Sequence, residues 1–181
     1  MTQKIAILLT KGFEESEALV PNDLFRRAGL HTDLISIDNT EIVSSSHNVK
    51  VVADQLLNQT DLNSYDLVML PGGQVDLEKY TALADTYRQF AQQQKWVAAI
   101  CAAPTALAKV GLLKGKNAVC YPSMRADLIN NEVNYRHLAA VIDAPFITGR
   151  GPGAAFDFGL AIVAQLLGVE AAEQVKQQLY Y

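Results

Sequence analysis

Three short runs in this chain, KIAILL (Lys4–Leu9), DLVML (Asp66–Leu70) and WVAAI (Trp96–Ile100), are apolar almost without a break. A strand with no polar side leaves no face for water, so it belongs in a sheet covered on both faces. Helical patterns fill the intervals. From Ser16 to Arg27 the residues Leu19, Val20, Leu24 and Phe25 recur at helical spacing, with Gly29 as a stop. Pro21 lies inside that pattern and either kinks the helix or opens it, since it has no N–H to give. His31–Ile37 alternates as a strand, and Glu41–Val52, with SSSHN at its centre, reads as short strands joined by a polar turn. Leu77–Gln94 reads as helix, as does Pro104–Val110 before Gly111. Asn117–Cys120, Ala139–Ile142 and Phe146–Thr148 read as strands, and Ala154–Leu167 and Ala171–Leu179 as closing helices. The alternation predicts one α/β domain over residues 1–181, a mostly parallel sheet with helices on both faces.

Composition narrows the class. Half of the 181 residues are hydrophobic and 19% are charged, enough for a core without staples. A net charge of −4 with no lysine or arginine cluster gives no reason to expect nucleic acid as a partner. Cys101 and Cys120 form no CxxC, and His31, His47 and His137 are scattered, so no metal or cofactor is expected. So few cysteines fit a reducing compartment, and MTQKIAILLT reads as a first strand, not a signal peptide. No apolar run reaches the ~18 residues of a membrane span, so the expected place is the cytoplasm, with no membrane contact.

Open α/β sheets bind ligands beyond the carboxyl ends of their strands. Three loops meet that description: Gly12–Glu17, Pro71–Gly73 and Cys101–Ala103. Cys101 stands where WVAAI stops and a helix opened by Pro104 begins, and helix N-termini favour a thiolate, the nucleophilic form. Strand, sharp turn and helix are also the parts of a nucleophile elbow. A buried structural cysteine fits the local pattern equally well. Gly72-Gly73 leaves space for a ligand and, with the amide of Ala102, could form an oxyanion hole, though Pro-Gly-Gly also makes a plain turn. Glu14, Glu15 and Glu17 suit the start of a helix through its dipole alone. A carboxylate beside a thiolate repels it, so a glutamate helps only as a neutral acid that shares one proton with sulfur. Gly149–Gly153 matches no phosphate-binding loop and reads as a structural turn.

KGFEESEALVPNDLFRRAG, YDLVMLPGG, AAICAAPTALAKVGLL and RGPGAAFDFGLAIV, in this order, resemble the ThiJ/PfpI superfamily. They look closest to the branch of the human parkinsonism-associated protein deglycase and its bacterial relatives. The resemblance implies a flavodoxin-like three-layer sandwich, a homodimer and an oxidation-prone cysteine. By position it makes Cys101 that cysteine, Glu17 the acid that hydrogen-bonds its sulfur, and Gly73 and Ala102 the oxyanion donors. Arg27 matches an anion-pocket arginine near the dimer interface. His47 stands where the pattern has an anion-contacting arginine, and Tyr121 where it has a histidine. The protease branch follows its cysteine with histidine, and Ala102 here disfavours proteolysis.

The functions implied are cofactor-free glyoxalase or deglycase chemistry on small reactive carbonyls and glycated substrates, or oxidation sensing or chaperoning through the same thiol. An older label of this branch, thiazole monophosphate biosynthesis, finds no phosphate loop or metal set here. An α/β protein with an inert thiol is the third reading.

Overall fold

The computed structural model describes residues 3–181. The chain runs β1 (Lys4–Leu9), α1 (Glu15–Arg27), β2 (His31–Ser36), β3 (Ile42–Ser44), β4 (Lys50–Val52), β5 (Gln55–Leu56) and β6 (Leu67–Leu70). It continues through α2 (Leu77–Thr81), α3 (Ala84–Gln92), β7 (Trp96–Ile100), α4 (Ala103–Lys109), β8 (Asn117–Ala118) and α5 (Arg125–Asn130). It closes with β9 (Asn134–Tyr135), β10 (Ala140–Asp143), β11 (Phe146–Gly149), α6 (Ala155–Leu167) and α7 (Val169–Leu179). Seven strands form one sheet in the order β10-β11-β7-β6-β1-β2-β5, parallel except for β10 against β11. The β3–β4 hairpin stands outside it as its own antiparallel pair.

The apolar runs are central, and their alternate residues supply two cores. Ile5, Ile7, Leu9, Met69, Ala98 and Ile100 face one way and pack with Leu24 and Phe25 of α1 and Phe158 and Ile162 of α6. Ala6, Leu8, Val68, Leu70, Val97 and Ala99 face the other, toward Tyr80, Phe90 and Leu107. Each large side chain so buried contributes about 1.5–3 kcal/mol. Helices α1 and α6 touch closely because Gly159 has no side chain; a Cβ there would lie 2.6 Å from Leu24 Cδ1 and 3.2 Å from Pro21 Cα.

The departures from the sequence reading have local causes. The expected helix Leu77–Gln94 breaks at Ala82–Leu83, where Leu83 N–H bonds the Tyr80 carbonyl, a tighter turn than the α-helix. The Tyr80 hydroxyl is fastened to the carbonyls of Pro71 (2.9 Å) and Leu8 (3.2 Å), which pins α2 beneath the sheet edge. The expected strand Asn117–Cys120 keeps only two ladder residues. Val119 N–H turns to the Thr148 hydroxyl (3.0 Å) and Tyr121 N–H to the Cys101 carbonyl (2.8 Å). Pro21 lies inside α1, not at its start.

Candidate active site

At the end of β7 the chain turns sharply at Cys101, whose φ of 64° is a left-handed conformation that a residue with a Cβ adopts at a cost. Two hydrogen bonds hold it there. Cys101 N–H donates to the Gly149 carbonyl (3.0 Å), and the Cys101 carbonyl accepts from Tyr121 N–H (2.8 Å). Helix α4 follows at once, with Pro104 in its first turn and the Thr105 hydroxyl donating to the Ala102 carbonyl (2.7 Å).

The loop after β6 passes directly over this corner. A Cβ on Gly72 would sit 2.6 Å from Cys101 Cβ and 2.8 Å from Ala102 N, so the approach requires glycine. Gly73, at φ 109°, is wedged against Glu14 N and Gly12 O, each 2.5 Å from where its Cβ would be. Pro-Gly-Gly is therefore part of the site's wall as well as a turn.

Helix α1 begins beside this loop. Glu14 N–H donates to the Gly72 carbonyl (2.8 Å), which brings the first turn of the helix against the corner. The three glutamates then separate by helical phase. Glu14 precedes the helix, Glu15 turns outward to His47, and Glu17 is fully buried. Glu17 Oε2 accepts from Gly72 N–H (2.8 Å). Its Oε1 is enclosed without a hydrogen-bond partner, and Cys101 is the neighbour whose thiol lowers the carboxyl's pKa. Pro21 offers no N–H to the Glu17 carbonyl one turn back, so that carbonyl lacks its helical donor.

Burial lifts the Glu17 carboxyl to about 7, against hydrogen bonds from Cys101 and Gly72 that favour its charge. Burial also pushes the Cys101 thiol up, the negative charge of Glu17 adds to that, and the main-chain N–H groups of Gly73 and Ala102 pull it back. This differs from the sequence expectation of a thiol that ionises easily at a helix start. The sulfur is 8% exposed as part of its residue, and desolvation outweighs the helix N-terminus. The pair titrates as one unit, and while it holds a single proton its two forms are carboxylate with thiol and carboxylic acid with thiolate.

The other expected residues fall at different distances from the sulfur. Tyr121 is beside it through its main chain, and its ring, in a residue 45% exposed, lies over Gly151, where a Cβ would come within 3.2 Å of Cδ2. No imidazole takes that place. His47 is exposed at the rim, its Nδ1 2.9 Å from Glu15 Oε1 and 3.7 Å from Glu14 Oε2. These three side chains are the only grouping of three or more His, Cys, Asp and Glu among the described residues with ligand atoms all within 4.8 Å, and the His47–Glu15 hydrogen bond explains their closeness. Arg27 pairs with Asp23 (2.7 Å) ten residues beyond Glu17, roughly 15 Å along the helix. One chain alone does not bring it to the sulfur. The sequence marks Gly72 as ligand space and Gly149 as the start of a structural turn; it does not show that Gly72 N–H holds Glu17 or that the Gly149 carbonyl holds Cys101.

Residues 3–165 match the DJ-1/PfpI family. The chain belongs to that family. Protein dj-1beta of Drosophila melanogaster is 35% identical over 99% of this chain and 97% of its own length. The Parkinson disease protein 7 homolog of Danio rerio is 33% identical over 98% and 96%. The solved structure of oxidized Toxoplasma gondii DJ-1 superposes with a TM-score of 0.92 at 32% identity, covering 99% of each chain. The seven-stranded sheet is thus the flavodoxin-like sandwich of DJ-1/PfpI proteins, and Cys101 occupies its strand-to-helix corner.

Proposed function

We propose that this DJ-1/PfpI protein is a cofactor-free cysteine enzyme of the glyoxalase or deglycase type, acting on methylglyoxal-type carbonyls and their adducts. The observation that carries the reading is the left-handed corner at Cys101, lying directly under Gly72, whose N–H donates to the fully buried Glu17 carboxyl. With the shared proton on Glu17, the sulfur is an anion that can add to an aldehyde carbon. The alkoxide that forms is held by the main-chain donors and takes the Glu17 proton, which leaves Glu17 a carboxylate. Glu17 then removes the hydrogen from that carbon and returns a proton to the neighbouring carbonyl carbon through an enediol. The first carbon is oxidised and the second reduced, so no outside oxidant is needed. The resulting thioester is hydrolysed by water, which releases lactate and restores the thiol. Tyr121 and His47 line the approach as substrate contacts, without the family histidine to move protons.

We place the protein as a homodimer in a reducing cytoplasm. Its two cysteines are free, and among the described residues no helix is long and apolar enough to cross a membrane. A second copy is also the route by which Arg27 could reach a sulfur. The test is lactate release from methylglyoxal: Cys101→Ser is expected to lose at least about 100-fold in rate, and turnover kept in that variant would refute the reading.

The second reading, an oxidation sensor, is supported by the same donors, which suit the oxygens of an oxidised sulfur, and by the relative described as oxidized. Intact mass after mild peroxide separates the two. Gain of two oxygen atoms that depends on Glu17, in a protein that does not turn over methylglyoxal, selects the sensor.

A further inference from the structure

The strand order reverses between β1 and β6: from β1 the chain goes to β2 on one side, and later returns to β6 on the other. Sheets of this kind take ligands in the crevice at such a reversal. A cavity of about 380 Å³ lies there, between the loop after β1, the loop after β6 and the tip of the β3–β4 hairpin. Cys101 is not among its walls. Lys11, Asp76 and Lys79 line it with the amides of Asn48 and Gln74. Beyond Lys79, which walls both, a second cavity of about 370 Å³ is lined by Ile37, Asp38, Leu57, Ala82 and Leu83.

Not every charge in this crevice is paired. Lys79 is bound to Asp38 (2.6 Å), which also accepts from the Thr10 hydroxyl (2.8 Å) and Lys11 N–H (2.7 Å). That pair is closed. Lys11 and Asp76 join no ion pair among the described residues, and Asp76 uses only Oδ1, at 3.1 Å, to cap the first turn of α2. One positive and one negative group therefore remain, on opposite loops of the same cavity, with an apolar chamber next to them.

The geometry points to a binding site for a small zwitterion, an α-amino acid with an apolar side chain, at the β1–β6 reversal. Its carboxylate meets Lys11, its ammonium group meets Asp76, and its side chain lies over the stem of Lys79 toward Ile37, Leu57 and Leu83. Lys11 and Asp76 are both exposed, and a ligand with both charges meets the two at once, where a simple anion meets Lys11 alone and a simple cation Asp76 alone. The volume suits a molecule of this size. The site does not rest on the chemistry of Cys101.

Leucine is the probe, titrated into the full chain and followed by amide chemical shifts, with 4-methylpentanoate and 3-methylbutylamine as one-charge analogues. Leucine is expected to saturate with a Kd of about 1 mM, and each analogue to bind at least about fivefold more weakly. Lys11→Gln and Leu83→Ser should weaken leucine to a similar degree. Asp76→Asn should do so as well while keeping a good helix cap, and Cys101→Ser should leave binding unchanged. Failure to saturate by about 50 mM, an analogue that binds as well as leucine, or indifference to Asp76→Asn would each overturn the site.

Discussion

At Glu17, burial and hydrogen bonding pull in opposite directions, and burial wins. Its carboxyl rises to about 7 in the folded chain from an ordinary value near 4.5. The folded state thus holds a proton that the unfolded chain gives up earlier, so this group adds stability below about pH 4.5 and loses it as pH rises through about 7. The loss is on the order of 3 kcal/mol. Denaturant unfolding at pH 5 and at pH 7.5, for wild type and Glu17→Gln, should show the difference between the two proteins changing by that amount in that direction. At this scale the sequence was partly legible. Cys101 stood out by its place before Pro104. Three glutamates in four positions gave no local reason to choose Glu17, because the choice depends on helical phase against a loop 55 residues away. The resemblance supplied it. The raised thiol was not legible, since helix dipoles can be read from order along the chain and burial cannot.

Among the elements, the contact between α1 and α6 decides how firmly Glu17 is held. Gly159→Val would place its side chain against Leu24 Cδ1 and the Pro21 backbone, so that Leu24 must shift and the two helices must separate slightly. A loss of about 1–3 kcal/mol is expected in urea unfolding, together with slower alkylation of Cys101 as Glu17 moves. The sheet's central strands could be read directly, because unbroken apolar runs leave only one placement. The break between α2 and α3 could not be. It follows from the Tyr80 hydroxyl reaching carbonyls on two other segments, and nothing in the local pattern announces that. The shortened β8 has the same kind of cause, the Val119 N–H diverted to the Thr148 hydroxyl.

For the whole molecule, the β3–β4 hairpin stands apart from the main sheet and shows Ile42 at 55% and Val52 at 68% exposure. Apolar side chains presented together on a projecting hairpin suit burial against a second copy. Sedimentation should show a dimer at micromolar concentration, and the double variant Ile42→Asp with Val52→Asp should raise its dissociation constant at least about 100-fold. Strand alternation made the α/β class legible from sequence. The crevice between β1 and β6 was not, because strand order is a property of the folded sheet and a loop's own composition does not reveal it.

One proton shared between Glu17 and Cys101 governs the proposed chemistry. The most direct test is the rate of Cys101 alkylation by iodoacetamide as a function of pH, read by peptide mass in wild type and Glu17→Leu. The shared proton predicts a wild-type rate that rises with an apparent pKa of about 7, moving to that of an ordinary thiol, about 8.5, or higher in the variant. Superimposable profiles for the two proteins would contradict it.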